Sequence, residues 1–386
     1  MNAATNGRIQ VSRLSTLPEI DALEQDWHDL EQRCRGITPF ATWEWCGAVA
    51  RHYAGSRPLW VMTLRDGDEL IGIAPFAETH LAVLRVLRVL SSALGAYSMA
   101  DYQDLLLAED RKDEAVDALC DDLAQRRGWD VLHIQELPAE SRTAKELMEA
   151  AASRGWSVAL QSGSDVHLLP VNGSWDEFRM TLSRSTRNDG GRLTRKLIAE
   201  HTASFASVDG DPEDVRRAMD DLFDLHTRRW QSVGKPGIFH GQRQRDFHRE
   251  VASRFAARRM LAVSLLRAGD ETIAVKYGFQ TNGTRYYYSA GFSPDPQWDH
   301  FRLGLVLDLS LLKDAFDQGV SCVDFMRGDG HYKDHYRMDT HLNQDLLIFR
   351  SRRSQVQYRL AHLAKGARAR LQRKLAERRE DRSKAA

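Results

Sequence analysis

Residues Met260 to Tyr336 constrain the fold more than any other stretch of the chain. Met260–Arg267 is an apolar run closed by Ala268-Gly269-Asp270, and Thr272–Gln280 follows at once. Asn282-Gly283 then predicts a hairpin turn, because both residues tolerate positive φ. Arg285–Phe292 is aromatic-rich, as strands are. A polar, proline-broken corner from Ser293 to His300 leads into Leu303–Phe316, whose apolar residues fall on most sides and predict a buried helix. Gly319 stops it. Val320–Met326 is short and apolar, like a strand buried on both faces. Arg327–Tyr336 behind it is dense in glycine and polar groups. Antiparallel strands, a crossover helix and one more strand with a polar loop suit an α/β ligand site.

A chain of 386 residues suits two domains. Lys+Arg and Asp+Glu each number 54, but from Arg350 onward cations far outnumber acids, so the rest is net acidic. Cys34, Cys46, Cys120 and Cys322 form no CxxC pair. That argues against structural zinc or a disulfide framework, so no metal is expected and a cytoplasmic location fits. The first ten residues lack the apolar core of a signal peptide. The most apolar stretch, Leu81–Leu94, carries Arg85 and Arg88 and is too short to span a bilayer.

The first half reads as helices Leu17–Arg33 and Thr42–Tyr53, then strands Pro58–Arg65, Glu69–Thr79, Leu84–Leu90 and Gln103–Leu107. Helix Lys112–Arg127, strand Trp129–Leu137, helix Glu140–Arg154 and strand Trp156–Leu160 complete it. Ser162–Asp165 reads as a linker. The second half repeats the order: helices Trp175–Leu182 and Ser183–Glu200, strand Ala203–Val208, helices Asp211–Ser232 and Gln244–Arg258, then the opening stretch. Leu346–Arg350 reads as a closing strand. The expected domains are 1–163, 164–350 and a basic amphipathic helix over 351–386. Val356, Leu360, Leu363, Ala367, Leu371 and Leu375 give that helix one narrow apolar stripe. Such a helix can pack on the body, lie on anionic lipid or grip nucleic acid. Attraction of its cations to an anionic surface favours peripheral attachment to the inner face of a membrane, and the chain up to Ser351 is expected to fold without it.

Several residues stand out. Arg187 and Arg192 belong to a basic helical face that suits a phosphorylated substrate. Asp324 lies inside an apolar strand with Arg327 nearby, so it is a structural pair, a cap on a neighbouring loop, or a base. His300, in the corner before the long helix, is a second candidate base.

The second half resembles the GNAT acyltransferase superfamily and is most similar to its Fem-like group, which includes the CelD-type proteins linked to cellulose biosynthesis. The resemblance rests on SRSTRNDGGRLTRKL (Ser183–Leu197), HTRRW (His226–Trp230), DETIAVKYGFQTNGTRYYYSAGFSP (Asp270–Pro294), RLGLVLDLSLLKDAFDQG (Arg302–Gly319) and VDFMRGDGHYKDHY (Val323–Tyr336). TWEWC, ELIGIAPF and the Asp101–Asp104 turn extend it more faintly into the first half. It implies tandem GNAT-like domains of class α/β (α+β), each a mixed, mostly antiparallel sheet flanked by helices, the first a degenerate copy. Strands Arg285–Phe292 and Val320–Met326 would splay apart to admit acetyl-CoA or another acyl-CoA. Tyr288, Gly291 and Phe292 would lie along its pantetheine arm, with Arg302 and Gly304 at the pyrophosphate. Tyr332 and Lys333 match the family's Tyr-Lys pair, with Lys333 on a phosphate or on the thioester oxygen. Arg229 of HTRRW joins Arg187, Arg192 and Arg327 as a substrate ligand.

One departure bears on the donor. In the superfamily's pyrophosphate loop the second small residue is glycine or alanine, whereas Leu305 stands after Gly304 here. The implied activity is direct N- or O-acyl transfer to an amine or hydroxyl in polysaccharide or cell-envelope metabolism. Two alternatives stay open: a Fem-like peptidyl transferase using aminoacyl-tRNA, and an inactive scaffold at a membrane surface.

Overall fold

A computed structural model describes residues 9–53, 55, 57–80, 87–92, 94, 99–138, 140–328, 330–364 and 366. The chain begins β1 (Gln10–Leu14), α1 (Leu17–Asp21), α2 (Glu24–Glu31), α3 (Trp43–Tyr53), β2 (Leu59–Asp66), β3 (Glu69–His80), β4 (Arg88–Ser91) and β5 (Leu106–Leu107). Then come α4 (Lys112–Gln125), β6 (Val131–Pro138), α5 (Arg142–Ser153) and β7 (Ser157–Pro170). The second half runs α6 (Trp175–Thr181), α7 (Arg184–His201), β8 (Ala203–Ser207), α8 (Pro212–Ser232), α9 (Gln242–Ala257), β9 (Leu261–Ala268), β10 (Glu271–Thr281) and β11 (Thr284–Phe292). It ends with α10 (Leu303–Asp317), β12 (Cys322–Arg327), β13 (Asp339–Phe349) and a helix over residues 352–364, here α11.

Two compact units form: Met1–Arg35 with Tyr53–Gly163 and Gln344–Ala386, and Gly36–His52 with Ser164–Asn343. In the first, β1-β2-β3-β4-β6 is the strand order. Its neighbours are antiparallel except β4 and β6, which are parallel across the α4 connection. In the second, β8-β9-β10-β11-β12-β7 is the order, and only β11 and β12 are parallel, with α10 as the crossover. Each unit is therefore a mixed, mostly antiparallel sheet with helices, and this is the expected fold class.

Local chemistry accounts for the second unit's elements. Ser174 and Glu177 make a capping box at α6, Ser183 accepts from the Thr186 amide at α7, and Asp211 accepts from Glu213 and Asp214 at α8 ahead of Pro212. The β10–β11 hairpin turns on Asn282 at φ 50° and Gly283 at φ 75°, the left-handed pair that a two-residue turn requires. The apolar residues of α10 are buried nearly all round, packed with Leu193 and Leu197 of α7 and Val323 and Phe325 of β12. A Cβ at Gly190 of α7 would lie 2.1 Å from Leu309 Cδ1, so this glycine sets how closely the two helices approach.

Several details differ from expectation. The single helix over Leu17–Arg33 is two helices, because the chain opens at Ala22 and Leu23 to ψ −15° and −4°. The stretch read as a linker lies inside β7, whose polar residues there sit on half-exposed backbone. The closing strand begins earlier, at Asp339. In α11, Ser354, Tyr358 and Ala361 are the buried residues, with Tyr358 against Phe349, whereas Val356, Leu360 and Leu363 face solvent. The stripe beyond residue 366 lies outside the described residues, as do Leu84, Arg85 and the first ten residues up to Arg8. Among the described residues, no helix is long and apolar enough to cross a membrane.

Candidate active site

The second unit holds a cavity of about 820 Å³, within the usual range for small-molecule sites. α8 supplies His226, Arg229 and Trp230, β10 supplies Lys276, β11 supplies Ser289, Ala290 and Phe292, and α10 supplies Leu303, Gly304, Leu305 and Asp308. Tyr332, His335 and Tyr336 line it from the segment after β12.

At its floor Lys276 Nζ meets Asp308 Oδ1 at 2.7 Å, with the two residues only 5% and 2% exposed. Two charges taken out of water cost several kcal/mol each, and good geometry is what offsets that cost. The Tyr336 hydroxyl donates to Asp308 Oδ2 at 3.4 Å. The Lys276 ammonium sits 5.1 Å from the Tyr287 ring centroid and 5.9 Å from that of Tyr332. Burial alone would lower the Lys276 pKa, but Asp308 and Tyr332 outweigh it and hold the ammonium above its ordinary value. Burial pushes both Tyr332 and Tyr336 up, so both phenols stay protonated at neutral pH.

Around this floor the groups are fixed. His226 Nδ1 faces the Ala290 carbonyl at 3.0 Å, and Nε2 accepts from the Ile238 amide at 3.2 Å, which sets the tautomer. Burial lowers its pKa, so it is a neutral brace. Arg302, at φ 49°, turns the chain into α10 and pairs with Asp189 at 3.1 Å. The Arg229 guanidinium lies 4.8 Å from the Phe292 ring centroid, and among the described residues no carboxylate lies within ion-pair distance of it. Burial lowers its pKa as well. A cation at the mouth and a helix N-terminus in the wall give the cavity a positive electrostatic bias.

The cavity brings together Arg229, Phe292, Arg302, Gly304 and Tyr332 of the residues expected from the sequence. Others lie elsewhere. Asp324 and Lys333 hold the backbone of one residue from both sides: the Met326 amide donates to Asp324 Oδ1 at 2.7 Å, and Lys333 Nζ donates to the Met326 carbonyl at 2.7 Å. Met326 has φ 59°, a left-handed kink in β12 that costs energy unless it is held. His300 is exposed and stacks on Phe301 at 4.1 Å. Tyr288 joins the aromatic cluster of Trp45, Tyr277 and Phe279. Gly291 is a contact point, since a Cβ there would lie 3.0 Å from the His226 amide nitrogen. Arg187 donates to the Met180 carbonyl at 3.2 Å, Arg192 pairs with Asp189 at 3.2 Å, and Arg327 is half-buried at the end of β12.

Lys276 and Asp308 escape a motif-based reading of the sequence. Their signal is a lone lysine in the apolar strand IAVKYGF and a lone aspartate in the apolar helix LVLDLSLL. Opposite charges isolated in buried elements pair with each other.

Residues 184–334 match the family model described as "Acetyltransferase (GNAT) domain". The chain matches no curated protein sequence. Among solved structures it is similar to FemX, with 11% identity, 87% of this chain and 96% of that chain covered, and a TM-score of 0.57. It is also similar to the C-terminal domain of a putative lysylphosphatidylglycerol synthetase from Agrobacterium fabrum, at 12% identity, 87% and 93% coverage and a TM-score of 0.53. L-PGS from Bacillus licheniformis stands at 12% identity, 85% and 92% coverage and a TM-score of 0.53. At these identities the likeness is one of fold.

Proposed function

Because residues 184–334 form a GNAT-type acyltransferase domain, we propose that this chain moves an acyl group directly from acyl-CoA to an amine or hydroxyl acceptor in the cavity above Lys276 and Asp308. The buried Lys276–Asp308 pair carries the reading. The acceptor's lone pair attacks the acyl carbonyl, and negative charge grows on its oxygen beside the Lys276 ammonium. The bond to sulfur then breaks, the Tyr332 phenol protonates the leaving thiolate, and the phenolate so formed takes up the proton that the acceptor nitrogen or oxygen gives off, which restores the phenol. Asp308 keeps Lys276 charged and aimed. The first turn of α10, with Arg302 and Arg229, suits the donor's phosphates. The anionic groups of acyl-CoA therefore fit the residues present, and no metal is invoked.

A second reading, an aminoacyl group carried on tRNA, draws support from Leu305 in the pyrophosphate loop and from the fold shared with FemX and a protein named for lysylphosphatidylglycerol. We place the protein in the cytoplasm, with the basic residues of and beyond α11 as a peripheral contact to anionic membrane. Thermal shift with acyl-CoAs separates the donors. A rise in Tm with acyl-CoA that is lost in Arg302→Ala supports the first reading, and a rise only with charged tRNA supports the second.

A further inference from the structure

Trp230 and Val233 line the mouth of the cavity and remain 36% and 63% exposed, and Ile238 beside them is 47% exposed. Large apolar groups are usually left in water singly, so three within nine residues at a site entrance mark a contact surface. The segment is not loose. The Lys235 amide donates to the Trp230 carbonyl at 2.8 Å, the Ile238 amide to His226 Nε2 at 3.2 Å, and His240 Nδ1 lies 2.9 Å from the Gly237 carbonyl. Gly237, at φ 69°, lets the loop fold back until a Cβ there would be 3.1 Å from Trp230 Cδ1. The fold therefore spends hydrogen bonds to hold these side chains outward.

The charge along this segment of the chain has one sign. From Thr227 to Arg245 the sequence contains no Asp or Glu, while Arg228, Arg229, Lys235, Arg243 and Arg245 are cationic. Arg228 is engaged by Asp224 at 3.2 Å. Lys235 Nζ lies 5.5 Å from the Trp230 ring centroid. A tryptophan with aliphatic neighbours ringed by cations matches the boundary of an anionic bilayer, where indole sits at headgroup depth and cations meet lipid phosphate.

We propose that this lip, formed by Trp230, Val233 and Ile238 with Arg229 and Lys235, docks on an anionic lipid surface. The cavity then opens toward the bilayer, and one of its substrates is an amphiphile held there. That last step rests on the acyl-transfer reading; the docking does not.

The test uses the full chain with Ile238→Cys carrying an environment-sensitive fluorophore. Native Cys46 and Cys120 are buried and Cys34 and Cys322 half-buried, and identically treated wild-type protein is the blank. Phosphatidylcholine vesicles with phosphatidylglycerol should shift the emission to the blue, vesicles without it should not, and adding Val233→Asp should weaken the affinity about tenfold, equivalent to about 1.4 kcal/mol. A second probe at Val356→Cys reports on α11. A shift at 356 with none at 238 assigns membrane contact to the tail and overturns the proposal. An equal shift at 238 on both vesicle types, or an unchanged affinity with Val233→Asp, overturns it too. Catalysis is not required for any of these readouts, so failure of the lip and failure of the acyl-transfer reading are told apart.

Discussion

Removing one member of the Lys276–Asp308 pair should cost much more than removing both. At 2.7 Å the two charges attract with roughly 6 kcal/mol at an effective dielectric of about 20. Most of that offsets desolvation. Lys276→Met leaves Asp308 with the Tyr336 hydroxyl, at 3.4 Å, as its hydrogen-bond donor among the described residues. Asp308→Leu leaves an ammonium among aromatic rings. Each should lose roughly 3–5 kcal/mol, whereas Lys276→Met with Asp308→Leu should come within about 1–2 kcal/mol of wild type, because an apolar pair replaces a buried ion pair at little cost. Activity should behave differently. Loss of the oxyanion-stabilising cation should lower turnover by about 10²–10³, in the stable double variant as in Lys276→Met. Urea unfolding monitored by tryptophan emission gives the first quantity, and thiol release from acyl-CoA across a panel of amines and alcohols gives the second. The Lys276 pKa is raised, so the pair's stability is fully present at and below pH 10.5 and is lost as pH rises through the higher folded value. A double variant as active as wild type would refute the catalytic role, and single variants as stable as wild type would refute the pairing.

Lys333→Met should cut thermal stability, because the Met326 carbonyl loses its buried donor at a cost of about 1–3 kcal/mol, with turnover of the folded fraction unchanged. His248 is buried, which lowers its pKa to about 3 from 6.5. Over that window the unfolded chain binds a proton that the folded chain refuses, so stability is lost as pH drops from about 6.5 toward 3, by up to about 1.4 kcal/mol per unit. Urea midpoints for His248→Phe should flatten that fall. Ending the chain after Gly366 should leave thermal stability near wild type, whereas ending it at Ser351 should lower it, because Tyr358 is removed from its packing with Leu87, Val89, Val131 and Phe349. This reverses the expectation that the body ends at Ser351.

The fold was legible where local rules act alone. The Asn282-Gly283 turn, the caps at Ser174, Ser183 and Asp211, and the all-round apolar α10 are each fixed by a few adjacent residues. The site was legible only in part, because its parts meet through register. Lys276 and Asp308 are 32 positions apart and touch only when β10 and α10 pack. Asp324 and Lys333 carry the right chemistry, but the kink at Met326 turns them onto its own peptide. Tyr288 sits one position from Tyr287, and strand alternation sends the two to different clusters. In α11 the buried face is hard to read because a phenol at Tyr358 and a small methyl at Ala361 signal a core more weakly than Val356, Leu360 and Leu363, which face solvent.

The central claim is that the donor's reactive end lies between α10 and Tyr332, above Lys276. Photoaffinity labelling with a diazirine-bearing acyl-CoA, followed by peptide mapping, tests it most directly. The account predicts label on Phe292, on Arg302 to Leu305 and on Tyr332, competed away by unlabelled acyl-CoA. Competable label confined to residues outside this cavity would contradict it.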